Sequence, residues 1–174
     1  MAAVIIILEC VNYKKKSIPS IVLYEERKWG EGTVYNSPGG NIDKGETAKE
    51  AAIRETKEEA FIDIPSSMLT EKNKVIVGKV HFWVVKLRST GLLSREEYIK
   101  ARFCTPGLKR YQKETHDITK VPITSFKRAI LNKERYITDM GGRKLKLRKS
   151  FYDCLISDLR LVKKIEEIFR HHVC

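Results

Sequence analysis

The chain begins with an apolar stretch, residues 3–11, rich in Ile and Val, which gives way to a basic turn at Lys14-Lys15-Lys16. The run is far shorter than the ~20 residues a membrane span needs, has no basic residue before it and continues through Glu9, so it reads as a buried strand. Residues 21–24 predict a second strand paired with it. Residues 33–36 read as extended and lead into Ser37-Pro38-Gly39-Gly40, where a proline and paired glycines force a turn. At Thr47-Ala48-Lys49-Glu50 the period changes: a capping box opens a helix that nothing breaks before Phe61. Further on, the pattern predicts a strand over 79–87, a short helix over 94–103, a strand over 118–122 and a helix over 125–132. Residues 157–171 predict a terminal amphipathic helix with Leu159, Val162, Ile165 and Phe169 as its apolar stripe. With no repeat, low-complexity tract or linker, residues 1–174 read as one domain of mixed α and β structure.

The length of 174 residues suits one domain, and 42% hydrophobic against 32% charged residues excludes a disordered chain. The charge changes the picture more. A net +12 points to a polyanionic partner without naming it. The four cysteines, at 10, 104, 154 and 174, have no paired metal-ligand spacing and are too sparse for a disulfide scaffold, which reads as reduced thiols in an intracellular protein. The expected location is cytoplasmic, and with no apolar run of spanning length no membrane contact is expected. Composition leaves the oligomeric state open.

The helix from Thr47 carries Glu55, Glu58 and Glu59 at spacings of three and four, on one side. Carboxylates so placed repel one another. Either the face is a solvated surface, as glutamate-rich helix faces commonly are, or a cation lies among them, and hard oxygen ligands suit Mg²⁺ or Mn²⁺. Ala48, Ala51 and Ala52 fall on the same side and would leave room for a ligand, while Ile53, Thr56 and Ala60 would face a sheet. Arg54 is one turn before Glu58 and in reach of its carboxylate.

The order of these parts resembles the Nudix hydrolases, whose box reads G, five residues, E, seven residues, then R-E-U-x-E-E-x-G-U with U a bulky aliphatic residue. Here Gly40 is followed after five residues by Glu46, and after seven more by Arg54-Glu55-Thr56-Lys57-Glu58-Glu59-Ala60-Phe61-Ile62. Thr56 replaces an aliphatic residue and Phe61 the second glycine, and neither is a metal ligand. Outside the box, Pro38-Gly39-Gly40 before it and Val121-Pro122-Ile123 after it also match the family pattern. The resemblance implies an α/β (α+β) fold, a mixed β-sheet sandwiched between α-helices, and hydrolysis of a nucleoside diphosphate linked to another moiety. It implies that Glu58 and Glu59 are the principal ligands of Mg²⁺ or Mn²⁺, that Glu55 is a third ligand or orients water, and that the Gly40 carbonyl also ligates. Arg54 belongs to the same constellation. Glu46 has either a structural role before the helix or a supporting one at the site. The general base is unassigned, with Glu114 and His116 as candidates. At Phe61 the missing glycine predicts an ordinary backbone conformation, its ring packed near Ile62 and Ile64.

Six acids and four bases give residues 40–62 a net −2, so the rest of the chain carries +14. Two clusters hold part of it: Arg143-Lys144-Leu145-Lys146-Leu147-Arg148-Lys149 and Lys109-Arg110-Tyr111-Gln112-Lys113. Each is either solvated surface or a track for RNA phosphates, with Lys144, Lys146 and Arg148 as the candidate contacts. Beside a pyrophosphate-cleaving site, such a track points to the 5′ cap of mRNA. Small nucleotides (ADP-ribose, diadenosine polyphosphates) and inositol pyrophosphates remain alternatives, as does a non-catalytic RNA-binding Nudix-like domain. Tyr35, Phe82, Trp83 and Tyr111 are available for base stacking.

Overall fold

The computed structural model describes residues 1–87, 92–104 and 115–170. The candidate base Glu114, the cluster Lys109 to Lys113 with Tyr111, and Cys174 lie outside the described residues.

β1 (Ala2–Tyr13) is apolar on both faces, which places it at the centre of a covered sheet. Ala3, Ile5 and Ile7 enter one core cluster and Ile6 and Leu8 the other. β2 (Lys16–Lys28) folds back on β1 through a two-residue hairpin whose central residues, Lys14 and Lys15, take the positive φ this turn demands. β3 (Gly32–Asn36) pairs antiparallel with β2, and the short β4 (Gly39–Asn41) pairs with the start of β1. After α1 (Ala48–Ala60) come β5 (Lys74–Val77) and β6 (Val80–Lys86); β6 returns parallel to β1, giving the order β3-β2-β1-β6-β5. α2 (Arg95–Cys104) precedes β7 (Thr115–Pro122), which pairs with β2. Then follow α3 (Ile123–Leu131), the small hairpin of β8 (Tyr136–Thr138) and β9 (Lys144–Lys146), α4 (Lys149–Ser157) and α5 (Arg160–Arg170).

The mixed sheet is covered on both faces. Ala51, Ala52 and Ala60 of α1 and Tyr98 of α2 pack on one, and α3, α4 and α5 pack on the other through residues such as Phe126, Leu155 and Ile165. This is the α+β sandwich that the resemblance implied. Among the described residues, no helix is long and apolar enough to cross a membrane.

Four expectations are corrected. The terminal helix is two helices: α4 ends at Ser157, Asp158 takes an extended conformation and accepts the Arg160 guanidinium, and Leu159 is 42% exposed between them. The stripe is carried by Leu161, Val162 and Ile165, because the break shifts the register of the apolar face. Ala51 and Ala52 leave no room for a ligand, since they are wholly buried against the sheet. Phe61 adopts the left-handed conformation (φ 56°, ψ 34°) that a glycine would take, its N–H bonded to the Lys57 carbonyl. Its ring lies edge-on to Tyr98 with centroids 5.7 Å apart, and this aromatic contact offsets a backbone cost of about 1 kcal/mol. Finally, Cys10 is disulfide-bonded while Cys104 and Cys154 are free thiols, so the all-reduced reading fails at Cys10, for which sequence spacing held no signal.

Candidate active site

The capping box fixes where α1 begins. Thr47 Oγ1 accepts the Glu50 N–H at 3.2 Å, and the Glu50 carboxylate accepts the Thr47 N–H at 2.8 Å. The start thus fixed determines which side chains face β4. At Gly40 an added Cβ would lie 2.3 Å from Glu55 Oε1, and at Gly39 it would lie 2.4 Å from the Ala3 carbonyl oxygen. The paired glycines therefore let the strand run directly against the glutamate helix. Gly39 N–H donates to Glu59 Oε2 at 2.9 Å, which holds that nearly buried carboxylate in place.

Arg54 organises the rest of the face. Its Nε and Nη2 fork onto Glu46 at 2.9 and 3.0 Å, its Nη1 reaches Glu55 at 2.8 Å and Glu58 at 3.4 Å, and Nη2 also donates to the Asn41 carbonyl at 3.1 Å. Its main partner is therefore Glu46, and its contact to Glu58 is the longest of these hydrogen bonds, with Asp43 farther still at 3.7 Å. Hydrogen bonding to Arg54 holds the Glu46 carboxyl below its usual value, so Glu46 acts as the support for Arg54. Burial pushes the Glu55 carboxyl up, opposed by Arg54. Among the described residues, no three acidic, His or Cys side chains converge as a preformed metal cage. The set on offer is nonetheless all oxygen: three carboxylates beside a strand whose side-chain space at Gly40 is taken by one of them.

These groups line a cleft of about 490 Å³. The rest of the lining comes from distant segments: Lys28 and Asn36 of β2 and β3, and Arg148, Ser150, Phe151 and Cys154 around the start of α4. Three of them share Glu26, 2% exposed, which lies 3.3 Å from Arg148 Nη1 and 3.6 Å from Lys28 Nζ and accepts Asn36 Nδ2 at 3.2 Å. Two cations on one buried carboxylate leave this side of the cleft positive, facing the acidic helix. Phe82 and Phe151, with centroids 6.4 Å apart, supply its apolar part.

The four residues named from the sequence as cation ligands, Gly40, Glu55, Glu58 and Glu59, line this cleft; Arg54 anchors Glu55 and Glu58 from beside it, and Glu46 lies outside the lining. Of the basic trio, Arg148 lines it too. Lys146 instead donates to the Glu31 carbonyl at 3.2 Å, and Lys144 is exposed on β9. Tyr35 and Trp83 are buried in the core, which removes them as stacking surfaces; Phe82 reaches the cleft from within its core cluster. His116 is absent from the lining; its ring lies 3.0 Å from Arg102 Nη2, and burial lowers its pKa. The sequence reading missed Lys28, Asn36, Phe151 and Cys154. They lack a local motif, and only the pairing of β2 with β3 and the docking of α4 bring them together.

A family model described as NUDIX domain matches residues 2–117. No curated protein matches the chain. Among solved structures, a mutT/nudix family protein from Listeria innocua aligns with a TM-score of 0.54 at 18% identity, covering 98% of this chain and 93% of that one. The Nudix hydrolase RenU from M. smegmatis aligns at 0.53 and 18% identity, over 93% and 84%. Ap4A hydrolase from C. elegans aligns at 0.50 and 19% identity, over 96% of each chain. These likenesses agree in fold with the sandwich described above. With the domain model spanning two thirds of its length and Glu55, Glu58 and Glu59 lining its cleft, the chain belongs to the Nudix family of pyrophosphohydrolases.

Proposed function

We propose that the chain is a divalent-cation-dependent hydrolase of a pyrophosphate bond, with the 5′ cap of RNA as its substrate. The observation that carries this reading is the cleft itself: Glu55, Glu58 and Glu59 on one element, Lys28 and Arg148 on others, all lining the same space. Glu58 and Glu59, with Glu55 and the Gly40 carbonyl, are the groups that would hold Mg²⁺ or Mn²⁺. A cation held there supplies charge neutralisation at the phosphate oxygens and a lowered water pKa. Arg54 keeps Glu55 aimed, and the Gly39 N–H keeps Glu59 aimed. Lys28 and Arg148 bind the phosphate oxygens away from the carboxylates, and the Phe82–Phe151 wall limits bulk water.

The charge outside the box, +14, favours a long polyanion over a small one. A second reading has one observation in its favour. The cleft volume of about 490 Å³ is in the range of small-ligand pockets, which suits ADP-ribose or a dinucleoside polyphosphate, the substrate class in the name of the C. elegans relative. A panel of capped RNA, cap dinucleotide, ADP-ribose and diadenosine polyphosphate, each with Mg²⁺ and with Mn²⁺, separates the two. Capped RNA should give the highest kcat/KM, and the advantage should shrink with added salt, with a logarithmic slope of about −0.7 per single-strand phosphate contacted. Faster hydrolysis of ADP-ribose than of capped RNA would favour the small-nucleotide reading.

A further inference from the structure

Trp29 is 103% exposed, the most exposed of the large apolar side chains among the described residues. A lone surface aromatic needs no special account, but the setting of this one is unusual. It occupies the turn between β2 and β3, directly after Lys28, which lines the cleft. The space around its neighbours is open: at Gly30 and Gly32, both at positive φ, an added Cβ would meet nothing within 4 Å. The turn is also braced. Glu31 N–H closes it onto the Lys28 carbonyl at 3.1 Å, and the Glu31 carboxylate accepts both the Arg135 guanidinium and the Lys149 N–H. Lys146 Nζ holds the Glu31 carbonyl. Three residues of the stretch 135–149 thus position one turn, and of the basic side chains in 143–149 it is Lys146 that bonds it.

We propose that Trp29 is the stacking platform for a nucleobase of the substrate whose phosphates enter the cleft beside Lys28 and Arg148. The inference rests on the pyrophosphohydrolase reading and adds the base-binding element that the buried Tyr35 and Trp83 do not supply. Stacking on an indole accepts any base, because every base has a π-face. The braced turn fixes the backbone in advance, so that binding has only the indole side chain to order. The charge also fits: base on the indole, anionic phosphates on the two cations of the cleft.

The chain has two tryptophans, and the other, Trp83, is 2% exposed, so solvent-exposed indole emission reports Trp29. In Mg²⁺, the protein is titrated with a methylene-bridged cap dinucleotide, which cannot be hydrolysed at that bond, with an uncapped 5′-phosphorylated oligonucleotide, and with methylene bisphosphonate as the base-free control. Quenching of the exposed emission by either base-bearing probe but not by the bisphosphonate is the expected result, and which probe quenches tells whether the cap base or a chain base is held. Trp29→Ala, which removes the reporting indole, should raise KM about 5- to 150-fold with kcat within about twofold, the equivalent of ~1–3 kcal/mol of stacking. Trp29→Phe should recover most of the loss in KM, which separates lost stacking from a disturbed turn. Unchanged emission with both base-bearing probes, or a KM for Trp29→Ala within twofold of the parent, would overturn the proposal. Failure of the hydrolase reading is distinct: no turnover of any pyrophosphate substrate by the parent, whatever the emission does.

Discussion

Glu59 Oε2 accepts the N–H of Gly39 at 2.9 Å, joining the glutamate helix to the glycine turn 20 residues upstream at one of the carboxylates assigned to the cation. In the absence of metal, repulsion among the box glutamates is opposed by the Arg54 contacts to Glu46, Glu55 and Glu58. Glu59 is held instead by the Gly39 N–H. Glu59→Ala leaves a part-buried N–H unsatisfied and should cost about 1–3 kcal/mol in metal-free protein. Glu59→Gln keeps an oxygen acceptor and should melt near the parent. Equal melting of the two variants in EDTA would show that the bond contributes nothing.

Phe61 makes a two-variant comparison possible. Phe61→Ala loses the ring contact with Tyr98 and keeps the left-handed backbone, whereas Phe61→Gly loses the same contact and removes the strain. The glycine variant should therefore be more stable than the alanine variant by about 1 kcal/mol, both lying below the parent. Denaturant unfolding measures the difference, and an alanine variant as stable as the glycine one would contradict the observed conformation.

Asp139 ties the β8–β9 turn together, accepting the Gly141 and Arg143 N–H groups, each at 2.9 Å, and Arg143 Nε at 2.7 Å. Burial pushes its carboxyl up, but the Arg143 guanidinium and these N–H groups outweigh burial and hold it below its usual value. A folded pKa below the unfolded one means stabilisation present above the unfolded value of about 3.9 and lost as pH falls through the folded value. Asp139→Asn should cost about 1–3 kcal/mol at neutral pH, with the gap to the parent narrowing below about pH 4. A gap that stays constant in acid would show that the charge on Asp139 is irrelevant.

Arg148 and Lys144 should behave differently although both belong to one basic run. Arg148→Glu places a negative charge in the cleft beside Glu26 and should raise KM at least tenfold for capped RNA and for ADP-ribose alike. Lys144→Glu changes an exposed residue away from the lining, so it should weaken long RNA alone and flatten its salt dependence. Steady-state kinetics on both substrates at two salt concentrations check this. Identical behaviour of the two variants would return the whole run to a single surface track.

The parts of the site legible in the sequence are those fixed by local rules. The Thr47–Glu50 box sets the start of α1, helical spacing puts Glu55, Glu58 and Glu59 together, and paired glycines admit the helix against β4. What escaped depends on contacts between distant segments. Lys28, Phe151 and Arg148 reach one cleft only because β3 pairs with β2 and α4 packs on the sheet. Short strands such as β5, β8 and β9 carry too few residues for a period to show. At Asp158 a single acid ends one helix and receives Arg160 of the next, a break that the apolar stripe alone conceals. Phe61 misled for another reason: its ring is held by Tyr98 firmly enough to keep a backbone conformation its side chain disfavours. Trp29 and Trp83 look alike as residues, and only burial separates a core indole from an exposed one.

The central claim is that the box glutamates act through a divalent cation. Its most direct measurement is product release from capped RNA by the parent and by Glu58→Gln, each in Mg²⁺ and after chelation with EDTA, with melting followed in parallel. Loss of one charged ligand should remove about 3–5 kcal/mol of transition-state stabilisation, a fall in turnover of roughly a hundred- to several-thousand-fold. The account predicts turnover by the parent in Mg²⁺ that EDTA abolishes and Mg²⁺ restores, with that fall in Glu58→Gln at an unchanged melting temperature in EDTA. Turnover by the parent that survives EDTA, or Glu58→Gln retaining nearly full activity in Mg²⁺, would contradict it.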